Sequence, residues 1–565
     1  MFDKDFLERL KQQQEAWNIS HQGSFEKEVK KEFVSEAGIV TRRVYTPLDL
    51  AEKEVDYLQD VGFPGEFPFT RGLSPVGYRA GLWAIAQYSG QSTPEECNQL
   101  WRDLAAAGLN TVYAAYDLPT QLGYDPDHPM AEGEVGRTGV SLVSLRDWEI
   151  AFDGIDLGKT MVSTVCNAPG AMAIAMNLLT AQKQGVDLKV LRGSSQNDVL
   201  KEYTARGNFI FPPEPSMRLV VDTLAYCSSV APQFYPLTVC SVHQSEFGAN
   251  HVHEVAFALA NGIAYVESAV NRGIDVDVIG PGIMWATSHD HHALFHEIAK
   301  LRAMRRLWAK VMRDRFKAKK PESMMCRLYS SVGGTSLMKE QYLNNIARSA
   351  LAALVGALAG AQRIDLRTYD EQWGIPTKDA EITNIRCQQI VGYECGVGET
   401  VDPLAGSYYV EWLTKEMEER FVEEIEKIDR LGGTLRAIES GYIKRTMLED
   451  AYKYQLGVEA GEIPRVGHNM FRQENDQARP VRVYRADPSV EERRIQAVKE
   501  LRRTRHDREV SRRLKALRAR AAEPATAENN LMPAIIDAVQ AYATIGEMCD
   551  VLREVWGEFK EPKII

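Results

Sequence analysis

Small hydroxyl side chains recur along the chain, in the pairs Ser163–Thr164, Ser194–Ser195 and Ser330–Ser331 and at Thr238 and Ser241. A hydroxyl group donates and accepts hydrogen bonds while it fills little volume, so such residues suit the wall of a passage for a polar ligand. Two interpretations fit the residues alone. Either these side chains line a channel for an extended substrate, or they face packing helices and strand ends.

The histidine-rich stretch SHDHHALFH, Ser288–His296, is a second group that could do chemistry. His292 and His296 are four residues apart, which would place both rings on one face of a helix, as in a zinc-binding HExxH motif. However, Ala293 occupies the position where that motif needs its glutamate base. We therefore predict a polar loop that runs into a helix and no metal site, with a metal cluster as the alternative.

Composition excludes several classes of protein. The chain has 565 residues, with 67 Lys and Arg against 78 Asp and Glu and a formal net charge of -11, which disfavours nucleic-acid binding. The eight cysteines form no CxxC pair, and Cys387 and Cys395 are too far apart for the usual zinc spacing. Reduced thiols are typical of a cytoplasmic protein. The charged N-terminus lacks the apolar core of a secretory signal, and no 18-residue apolar run predicts a membrane span.

Alternation of strands and helices between about residue 83 and residue 470 predicts the scaffold for these residues. The candidate strands are Thr111–Tyr116, Met161–Cys166, Lys189–Gly193, Leu237–Val242, Val276–Ile279, Cys326–Ser331, Gln362–Leu366 and Arg465–Asn469. Candidate helices between them include Ser216–Ser229, Val252–Arg272, Leu294–Phe316 and Tyr342–Ala361. This pattern favours an α/β fold, a parallel (β/α)8 TIM barrel. Val, Ile and Leu usually fill such a barrel, so the hydroxyl residues are unusual.

The segments on either side of the barrel lack a core of their own. Residues 1–70 form an arm, with a charged helix, an extended piece at Ile39–Tyr45 and a turn-rich stretch, and we expect this arm to wrap a neighbour or partner. The barrel takes residues 71–475. Residues 476–565 form a helical linker and a C-terminal helical segment. The charged residues 480–528 favour a solvated helix, with a basic docking surface as the alternative.

Several stretches in a fixed order resemble the methylmalonyl-CoA mutase family, which are adenosylcobalamin-dependent acyl-CoA mutases. The resemblance covers about residues 60–470 and is carried by TRG (Thr70–Gly72), QYSG (Gln87–Gly90), DLPTQLGYDPDHP (Asp117–Pro129), SSQNDVLKEY (Ser194–Tyr203), FPPEPSMR (Phe211–Arg218), AKLRAMRRLWAK (Ala299–Lys310) and VDPLAGSYYVE (Val401–Glu411). The ordered set is far more specific than any one string. It implies a TIM barrel bored by the pantetheine arm of coenzyme A, which favours the channel interpretation.

The same resemblance implies a cofactor and a partner chain. In the family, adenosylcobalamin lies over the barrel mouth and is clasped by a flavodoxin-like domain whose DxHxxG histidine ligates cobalt. This sequence contains no DxHxxG motif and stops at Ile565, where that domain would begin. We therefore expect the large, substrate-binding subunit of a two-chain enzyme. A small cobalamin-binding subunit would bring the cobalt ligand, and the two chains would form an α2β2 heterotetramer.

Three residues match family positions that act on the substrate. Tyr88 in QYSG matches a tyrosine that lies over the reacting centre and wedges the adenosyl group away from cobalt. His243, after LTVCSV, matches a histidine that donates a hydrogen bond to the thioester carbonyl, where charge builds during migration. Arg206 in KEYTARGNF matches the reader of a free carboxylate, which an arginine fork binds bidentately. Without the resemblance, a core tyrosine, a structural histidine and an ion-paired arginine remain the alternatives.

The resemblance assigns the other site residues to two groups. Those expected to bind the substrate are Gln196 at the carbonyl region, Ser194 where Thr is usual, Ala115 as the small residue of the methylmalonyl type, Val242, Ser331 and Arg327. Those expected at the cofactor are Tyr329, Arg367 and Glu371. Members that act on isobutyryl or 2-hydroxyisobutyryl substrates carry Gln at the position of Arg206. Arginine there favours a dicarboxylic, malonyl-type thioester.

Local departures from the family concern the acyl pocket. Val242 stands where a tyrosine precedes the histidine, and Tyr329 and Ser331 replace a His and a Gln. Arg367 replaces an Asn. The lost tyrosine and glutamine predict a roomier pocket, so we expect a malonyl-CoA with a bulky arm, of the benzylmalonyl or arylsuccinyl type. Burying such an arm would contribute roughly 2–3 kcal/mol. The alternative is a methylmalonyl-CoA or isobutyryl-CoA mutase large subunit.

A second set of departures concerns coenzyme A itself. Gly81, Ala86 and Gly282 stand where family arginines clasp the CoA phosphates, whereas Arg327 remains. The candidates to replace them are Arg71, Arg79 and Arg192. Lost phosphate contacts would also fit a catalytically silent assembly subunit, which is a further alternative.

Overall fold

The computed structural model describes residues 2–473 and 487–561. Its centre is a barrel of eight parallel β-strands, the fifth of which is in two parts. They are β1 Ala84–Ser89, β2 Thr111–Ala115, β3 Met161–Val165, β4 Gly193–Ser195, β5 Phe234–Tyr235 with Leu237–Cys240, β6 Ile283–Ser288, β7 Arg327–Ser331 and β8 Arg363–Asp365. Pro236 interrupts β5 because proline has no N–H for the ladder. The predicted (β/α)8 TIM barrel is confirmed. The predicted boundary between residues 475 and 476 lies outside the described residues.

The sheet closes on itself. Strand β8 pairs with both β7 and β1, with Arg363 opposite Tyr329 and Ala84. Strand β4 pairs with the first part of β5, and the second part of β5 pairs with β6. The Thr238 N–H also donates to the Gln196 carbonyl at 3.0 Å, which continues the contact of β4 with β5. In a closed parallel barrel all strands end at the same rim, so side chains from distant parts of the sequence converge there.

Helices cover the outside of the barrel and extend it at both ends of the chain. They are α1 Lys4–Phe25, α2 Pro47–Glu52, α3 Pro94–Ala106, α4 Leu118–Gln121, α5 Leu145–Ala151, α6 Gly170–Lys183, α7 Pro213–Val230, α8 Val242–Phe247, α9 His251–Asn271, α10 Val276–Ile279, α11 Leu294–Asp314, α12 Pro321–Met324, α13 Asn344–Leu358, α14 Lys378–Glu394, α15 Tyr408–Arg430, α16 Thr434–Glu439, α17 Tyr442–Glu459, α18 Ser489–Thr504, α19 Asp507–Ala522, α20 Met532–Gln540 and α21 Ile545–Trp556. The four helices predicted from periodicity correspond to α7, α9, α11 and α13.

The individual strand predictions are only partly right. Val276–Ile279 is a helical turn, because the Asp275 side chain accepts from the Asp277 N–H and caps it. Arg465–Asn469 is a turn in which the Arg465 carbonyl accepts from several following N–H groups. The prediction at Lys189–Gly193 is too early, since β4 begins at Gly193. The sequence pattern misses β1 and β6, which are short buried runs without a clear alternation.

Alternate strand residues face the barrel axis, the lumen. An interior cluster joins Ala86, Tyr113, Val165, Cys240, Val242, Met284, Ala286 and Tyr329. Ser163 and Ser194 share this inward side, and their hydroxyl oxygens lie 2.7 Å apart. Thr164 and Ser195 come one residue later, so they face the opposite side, where the Thr164 hydroxyl donates to Ser195 at 3.0 Å. Hydroxyl residues therefore occur both in the lumen and against the helices.

The two halves of the N-terminal arm differ in burial, since Ile39, Leu50, Val55 and Val61 join the main hydrophobic core whereas the first helix does not. Helix α1 has no buried residue, and the exposed fractions of Ile19 and Val29 are 77% and 91%. Within the predicted extended piece, Val40–Thr41 pairs antiparallel with Phe33–Val34. Apolar side chains left open on an arm suit a partner surface, but the expected wrapping of a partner stays a prediction.

The charged C-terminal segment contains two helices, α18 and α19, rather than one, and part of it (residues 480–486) lies outside the described residues. Its arginines are not simply solvated. Arg494 is buried and donates to Asp147 at 2.6 Å, and Arg502 donates to Asp125 at 2.6 Å. Both arginines belong to α18, so these ion pairs hold that helix against α5 and against the loop that contains Asp125. Outward-facing pairs such as Glu500 with Arg503 account for the remaining charge.

The described helices include none with both the length and the apolar character needed to cross a membrane. All eight cysteines are free thiols, and Cys395 alone among them is exposed. Burial raises the pKa of thiols such as Cys97 and Cys227 to about 12, so they remain protonated and unreactive.

Candidate active site at the barrel mouth

Arg206 lies at the carboxyl-end rim of the barrel, in a π-helical turn, Glu202–Arg206, that follows β4. Gly207 ends this turn with a φ of 90°, a left-handed conformation that glycine adopts without strain. Such π-helical turns are rare and often occur at functional sites. Helix α8 packs against the turn, which brings its residue His243 to the same part of the rim.

The Arg206 guanidinium has an unsatisfied donor. Its side chain is 19% exposed, and its Nη1 lacks a hydrogen-bond partner among the described residues while lying 3.6 Å from Glu202 Oε1. That oxygen already accepts from Lys201 Nζ at 2.5 Å and from Asn167 Nδ2 at 2.6 Å. The other Glu202 oxygen accepts from the Asn208 N–H at 2.9 Å. Glu202 is therefore no full partner for Arg206, whose geometry suits a ligand carboxylate.

Tyr88 stands beside Arg206 near the end of β1. Its N–H donates to Asp365 Oδ1 at 3.0 Å, and its ring meets the Tyr113 ring edge-on with centroids 5.1 Å apart. The Arg367 guanidinium lies 5.6 Å from the centre of the Tyr88 ring. Burial raises the pKa of the Tyr88 phenol, while the positive charges of Arg206 and Arg367 oppose that rise. The ring is thus a neutral, flat surface between two arginines.

His243 is a neutral hydrogen-bond donor. Burial, together with the positive charges of Lys201, Arg206 and Arg367, holds its pKa well below the ordinary value. Its Nδ1 lies 3.5 Å from Cys240 Sγ, and burial raises the pKa of that thiol to about 11. A protonated thiol can donate to Nδ1, and in that arrangement the ring proton is on Nε2. Nε2–H can then donate to a substrate oxygen.

Three residues predicted to bind the substrate lie at different depths along the barrel wall, namely Gln196, Ser194 and Ala115. Gln196 follows β4, and its Oε1 accepts from Asn167 Nδ2 at 3.1 Å, while its Nε2 meets no acceptor within the described chain. Ser194 lies deeper, in the lumen. Ala115 ends β2 against Gly90, where an added Cβ would come within 2.6 Å of the Ala115 carbonyl oxygen. The glycine of QYSG is therefore needed for this close approach.

Asp365 accepts hydrogen bonds from three residues at the rim of the barrel. It is fully buried at the end of β8 and accepts from the Ser331 hydroxyl at 2.9 Å and from Arg367 Nη1 at 2.6 Å, as well as from the Tyr88 N–H. Arg367 Nε in turn lies 3.6 Å from Glu371 Oε1. The Ser331 hydroxyl is thus engaged with Asp365, and Arg367 is fixed between two carboxylates at the place predicted for the cofactor.

Glu371 titrates near neutral pH. Burial raises the pKa of its carboxyl to about 7 despite the nearby Arg367 guanidinium, and the carboxylates of Glu246, Asp365 and Asp370 raise it further. A carboxyl that is partly protonated at neutral pH both donates and accepts hydrogen bonds. It is therefore suited to the hydroxyl groups of a nucleoside.

We expect Glu371→Gln to raise the melting temperature at pH 8 and to leave it nearly unchanged at pH 4.5. The ordinary pKa of Glu371 is 4.5 and its folded value is about 7, so the folded state binds this proton more tightly than the unfolded chain. The corresponding stability is fully present below pH 4.5 and is lost as pH rises through 7. Thermal unfolding between pH 4.5 and 8 would measure it. Asp125 and Asp198 have pKa values of about 6 and titrate in both proteins, so the variant should keep part of the pH dependence. A melting temperature that falls as steeply with pH in the variant as in the unmodified chain would contradict this expectation.

Tyr329 and Arg363 lie deeper, inside the lumen. Tyr329 is buried, its ring meets the Tyr113 ring at 5.1 Å, and its hydroxyl lacks a partner among the described residues. The Arg363 guanidinium lies 4.6 Å from the centre of the Tyr329 ring. The structure therefore brings Arg367 and Glu371 together at the rim and places Tyr329, the third residue predicted at the cofactor, in the lumen below them.

Comparison with known proteins identifies the family. Residues 34–558 match the family model described as Methylmalonyl-CoA mutase. The chain belongs to the methylmalonyl-CoA mutase family. It is 37% identical to the 2-hydroxyisobutanoyl-CoA mutase large subunit of Aquincola tertiaricarbonis over 98% of either chain. It is also similar to the methylmalonyl-CoA mutase of Rhizobium meliloti (strain 1021), at 37% identity over 92% of this chain and 72% of the relative, and to the methylmalonyl-CoA mutase large subunit of Streptomyces virginiae, at 36% over 92% and 70%.

The positions at which arginines are expected to clasp CoA phosphates in this family lie mostly at the other end of the barrel. Gly81 precedes β1, Gly282 precedes β6, and Arg327 begins β7. Arg327 donates to the Glu322 carbonyl at 3.0 Å and lies 5.7 Å from the centre of the Tyr235 ring. Arg206, predicted to bind a carboxylate, and Arg327, predicted to bind a phosphate, thus lie at opposite ends of the barrel axis.

The three candidate replacement arginines lie at this amino end, but they differ in availability. Arg71 lines a cavity of about 190 Å³ beside Gly81 and is held 3.5 Å from Asp402. Arg79 and Arg192 are exposed and form no ion pair with another described residue. Arg79 and Arg192 are therefore the better placed of the three to meet a phosphate.

The histidine-rich stretch forms a compact cluster. Ligand atoms of Asp290, His291 and His292 all lie within 4.8 Å of one another. Asp290 pairs with His291 Nδ1 at 2.8 Å and accepts from the His292 N–H at 3.1 Å. His296 is directed elsewhere, toward His251 and Tyr409. The group that comes together is thus the consecutive triplet rather than the pair at helical spacing, and the expectation of no metal stays a prediction.

Sequence reasoning did not single out several residues that shape the site. Lys201 is fully buried beside Glu202, and Cys240 Sγ lies 3.5 Å from His243 Nδ1. Arg363 and Asp365 are the charged residues of β8, and both are buried. A signal for the last two was present, because charges at alternate positions of a predicted strand must share one face of the sheet.

Proposed function

We propose that this chain is the large, substrate-binding subunit of an adenosylcobalamin-dependent mutase, which moves the thioester group of a carboxylated acyl-CoA to the neighbouring carbon. The observation that carries this proposal is the unsatisfied Nη1 of Arg206 at the same rim as the neutral donor His243. Relatives named methylmalonyl-CoA mutase and 2-hydroxyisobutanoyl-CoA mutase support an acyl-CoA mutase, which is an isomerase.

Each rim residue has a role in this reaction. Arg206 binds the free carboxylate and fixes the orientation of the acyl group. His243 Nε2–H donates to the thioester carbonyl, and Gln196 Nε2 is a second donor for the same region. Donors preorganised where negative charge develops stabilise the transition state more than the ground state. The flat Tyr88 ring packs on the acyl group and excludes water from it.

The rim also fits an adenosyl group. The Glu371 carboxyl, with its pKa of about 7, and the Arg367 guanidinium offer donors and acceptors for a nucleoside beside the flat ring of Tyr88. These residues would hold the adenosyl group of adenosylcobalamin, which when bound would provide the radical chemistry of hydrogen-atom transfer. Two relatives are named large subunits, which supports a small cobalamin-binding partner that ligates the cobalt. We propose an α2β2 assembly in the cytoplasm.

The acyl group is proposed to be a malonyl-CoA with a bulky arm, of the benzylmalonyl or arylsuccinyl type. Small side chains at Ala115, Val242 and Ser331 support space beside the reacting carbon. Arg206 supports a carboxylated substrate over 2-hydroxyisobutanoyl-CoA. Methylmalonyl-CoA itself is the alternative, since it carries the same carboxylate.

One observation favours a second candidate, a non-catalytic assembly subunit. The Arg363 side chain spans the lumen from β8 and reaches Ser194 on β4 at 3.2 Å, on the path that a pantetheine arm would take. Gly81 and Gly282 lack the side chains that would hold phosphates. Intact Arg206, His243 and Tyr88 argue for catalysis.

Turnover by the purified chain with its small subunit and adenosylcobalamin tests these proposals. Products from benzylmalonyl-CoA, methylmalonyl-CoA and 2-hydroxyisobutyryl-CoA would be quantified by mass spectrometry. We expect the bulky carboxylated substrate to have the highest kcat/KM. A clear preference for methylmalonyl-CoA would contradict the pocket argument. Absence of both turnover and CoA-ester binding would favour the assembly subunit.

A further inference from the structure

A charged side chain crosses the centre of the barrel. Strands β8 and β4 lie on opposite sides of the eight-stranded barrel. Arg363 Nη2 on β8 donates to Ser194 Oγ on β4 at 3.2 Å. The same Nη2 lies 3.3 Å from Met284 Sδ on β6. Arg363 is 1% exposed. Its guanidinium therefore lies in the lumen and closes it.

Most of the Arg363 hydrogen-bonding capacity is unused. Its Nε and Nη1 lack partners among the described residues, and both are buried. The nearest carboxylate along its strand, Asp365, is already engaged by Arg367, Ser331 and the Tyr88 N–H. A buried cation without a carboxylate partner and with unpaired donors is costly, so a ligand that supplies an oxygen acceptor would stabilise it.

The surroundings of Arg363 are rich in donors and poor in acceptors. The Tyr329 ring stacks on the guanidinium at 4.6 Å, and the Tyr329 hydroxyl is itself unpartnered within the described chain. The Ser163 and Ser194 hydroxyls bond each other at 2.7 Å, and one of them also accepts from Arg363. This arrangement complements an oxygen acceptor that enters along the axis.

We propose that Arg363 forms a binding site inside the barrel for a carbonyl or carboxylate oxygen of the ligand, which in an acyl-CoA is an amide carbonyl of the pantetheine arm. The inference rests on the proposed function for the path of the arm along the barrel axis. Entry of the ligand displaces the guanidinium from Ser194, and the freed Nη2 joins Nε and Nη1 as a donor. Arg363 thus bridges β8 and β4 before the ligand enters and binds the ligand afterwards.

Isothermal titration of the full chain with benzylmalonyl-CoA and with free benzylmalonate tests this site. Arg363→Met keeps the length and apolar character of the side chain but removes the donors. We expect it to weaken binding of the CoA ester roughly 10- to 100-fold, as expected for lost hydrogen bonds to a charged group. Arg363→Lys should fall between the two. Arg494→Met, which removes a buried arginine outside the lumen, should leave the affinity unchanged.

Thermal unfolding separates a binding role from a structural one. Removing an unpaired buried charge should raise the melting temperature of ligand-free Arg363→Met by roughly 1–2 °C. Arg494→Met should lower it, because Asp147 loses the arginine that binds it at 2.6 Å. A fall in the melting temperature of Arg363→Met with unchanged affinity would make Arg363 structural and overturn the proposal.

The two ligands distinguish failure of the site from failure of the proposed function. If the unmodified chain binds the ester and Arg363→Met binds it equally or more tightly, Arg363 is not a ligand-binding residue. If the unmodified chain binds no CoA ester, the proposed function fails, and the diacid titration still tests Arg363. A loss confined to the free diacid, with the ester bound equally well, would also contradict the proposed contact of Arg363 with the pantetheine arm.

Discussion

Arg206→Gln is expected to lower kcat/KM for a carboxylated acyl-CoA roughly 30- to 1,000-fold, which corresponds to about 2–4 kcal/mol. The physical reason is that Glu202 already accepts from Lys201, Asn167 and the Asn208 N–H and lies 3.6 Å from Arg206 Nη1, which has no hydrogen-bond partner among the described residues. Arg206 therefore has a donor left for the substrate. A neutral amide cannot replace a two-pronged cationic donor, and the substrate carboxylate would lose its counter-charge in a buried site.

The comparison that tests this prediction is between substrates within one variant. Isobutyryl-CoA lacks the carboxylate, so its kcat/KM should change much less than that of methylmalonyl- or benzylmalonyl-CoA. Arg206→Lys should recover part of the loss. Arg137→Gln, at an exposed arginine paired with Glu134, should behave as the unmodified chain does. An equal fall for carboxylated and plain substrates would remove Arg206 from the specificity role.

His243→Ala is expected to lower kcat roughly 100- to 1,000-fold with little change in KM, as for loss of one preorganised donor at a developing charge. The donor acts on the migrating thioester group rather than on binding, so the effect should appear in kcat. Steady-state kinetics with methylmalonyl- and benzylmalonyl-CoA would measure it. A change confined to KM would mean that His243 only helps to bind the substrate.

Two further measurements separate the donor role of His243 from a structural one. Because its pKa is held well below the ordinary value, kcat should show no loss from His243 protonation as pH falls from 8 to 6. Cys240→Ala should lower kcat several-fold, since it removes the donor that holds Nδ1, whereas Cys240→Ser keeps a donor and should retain most activity. A loss of kcat with a midpoint near pH 6.5 that is absent from His243→Ala would contradict the neutral imidazole.

The fold could be predicted from local patterns, with errors where those patterns are weak. Repeated strand–helix units predict a parallel barrel because each unit buries its apolar surface only by packing beside the next. Short buried strands such as Ala84–Ser89 and Ile283–Ser288 carry no periodic signal, and Val276–Ile279 has the composition of a strand but is capped as a helical turn by Asp275. Such competition between local alternatives is settled by tertiary packing.

The chemical types of the site residues could also be predicted from the sequence. Their hydrogen-bond pairing and their protonation could not. Arg206, His243 and Tyr88 are visible in ordered motifs. Whether Arg206 is paired within the protein depends on Lys201 and Asn167, which occupy Glu202 from different elements. Whether His243 is a neutral donor depends on its burial and on the contact with Cys240.

By itself, the sequence determined the barrel class, the family and the residue types at the rim, because these depend on motif order and on short-range patterns. Only the tertiary structure decided what those residues can do. The closing of the barrel sets β8 opposite β4, and this alone turns Arg363 from a polar residue in a predicted strand into a buried cation across the lumen. Hydrogen-bond saturation and burial are properties of many segments together, and they decide which charges remain free for a ligand.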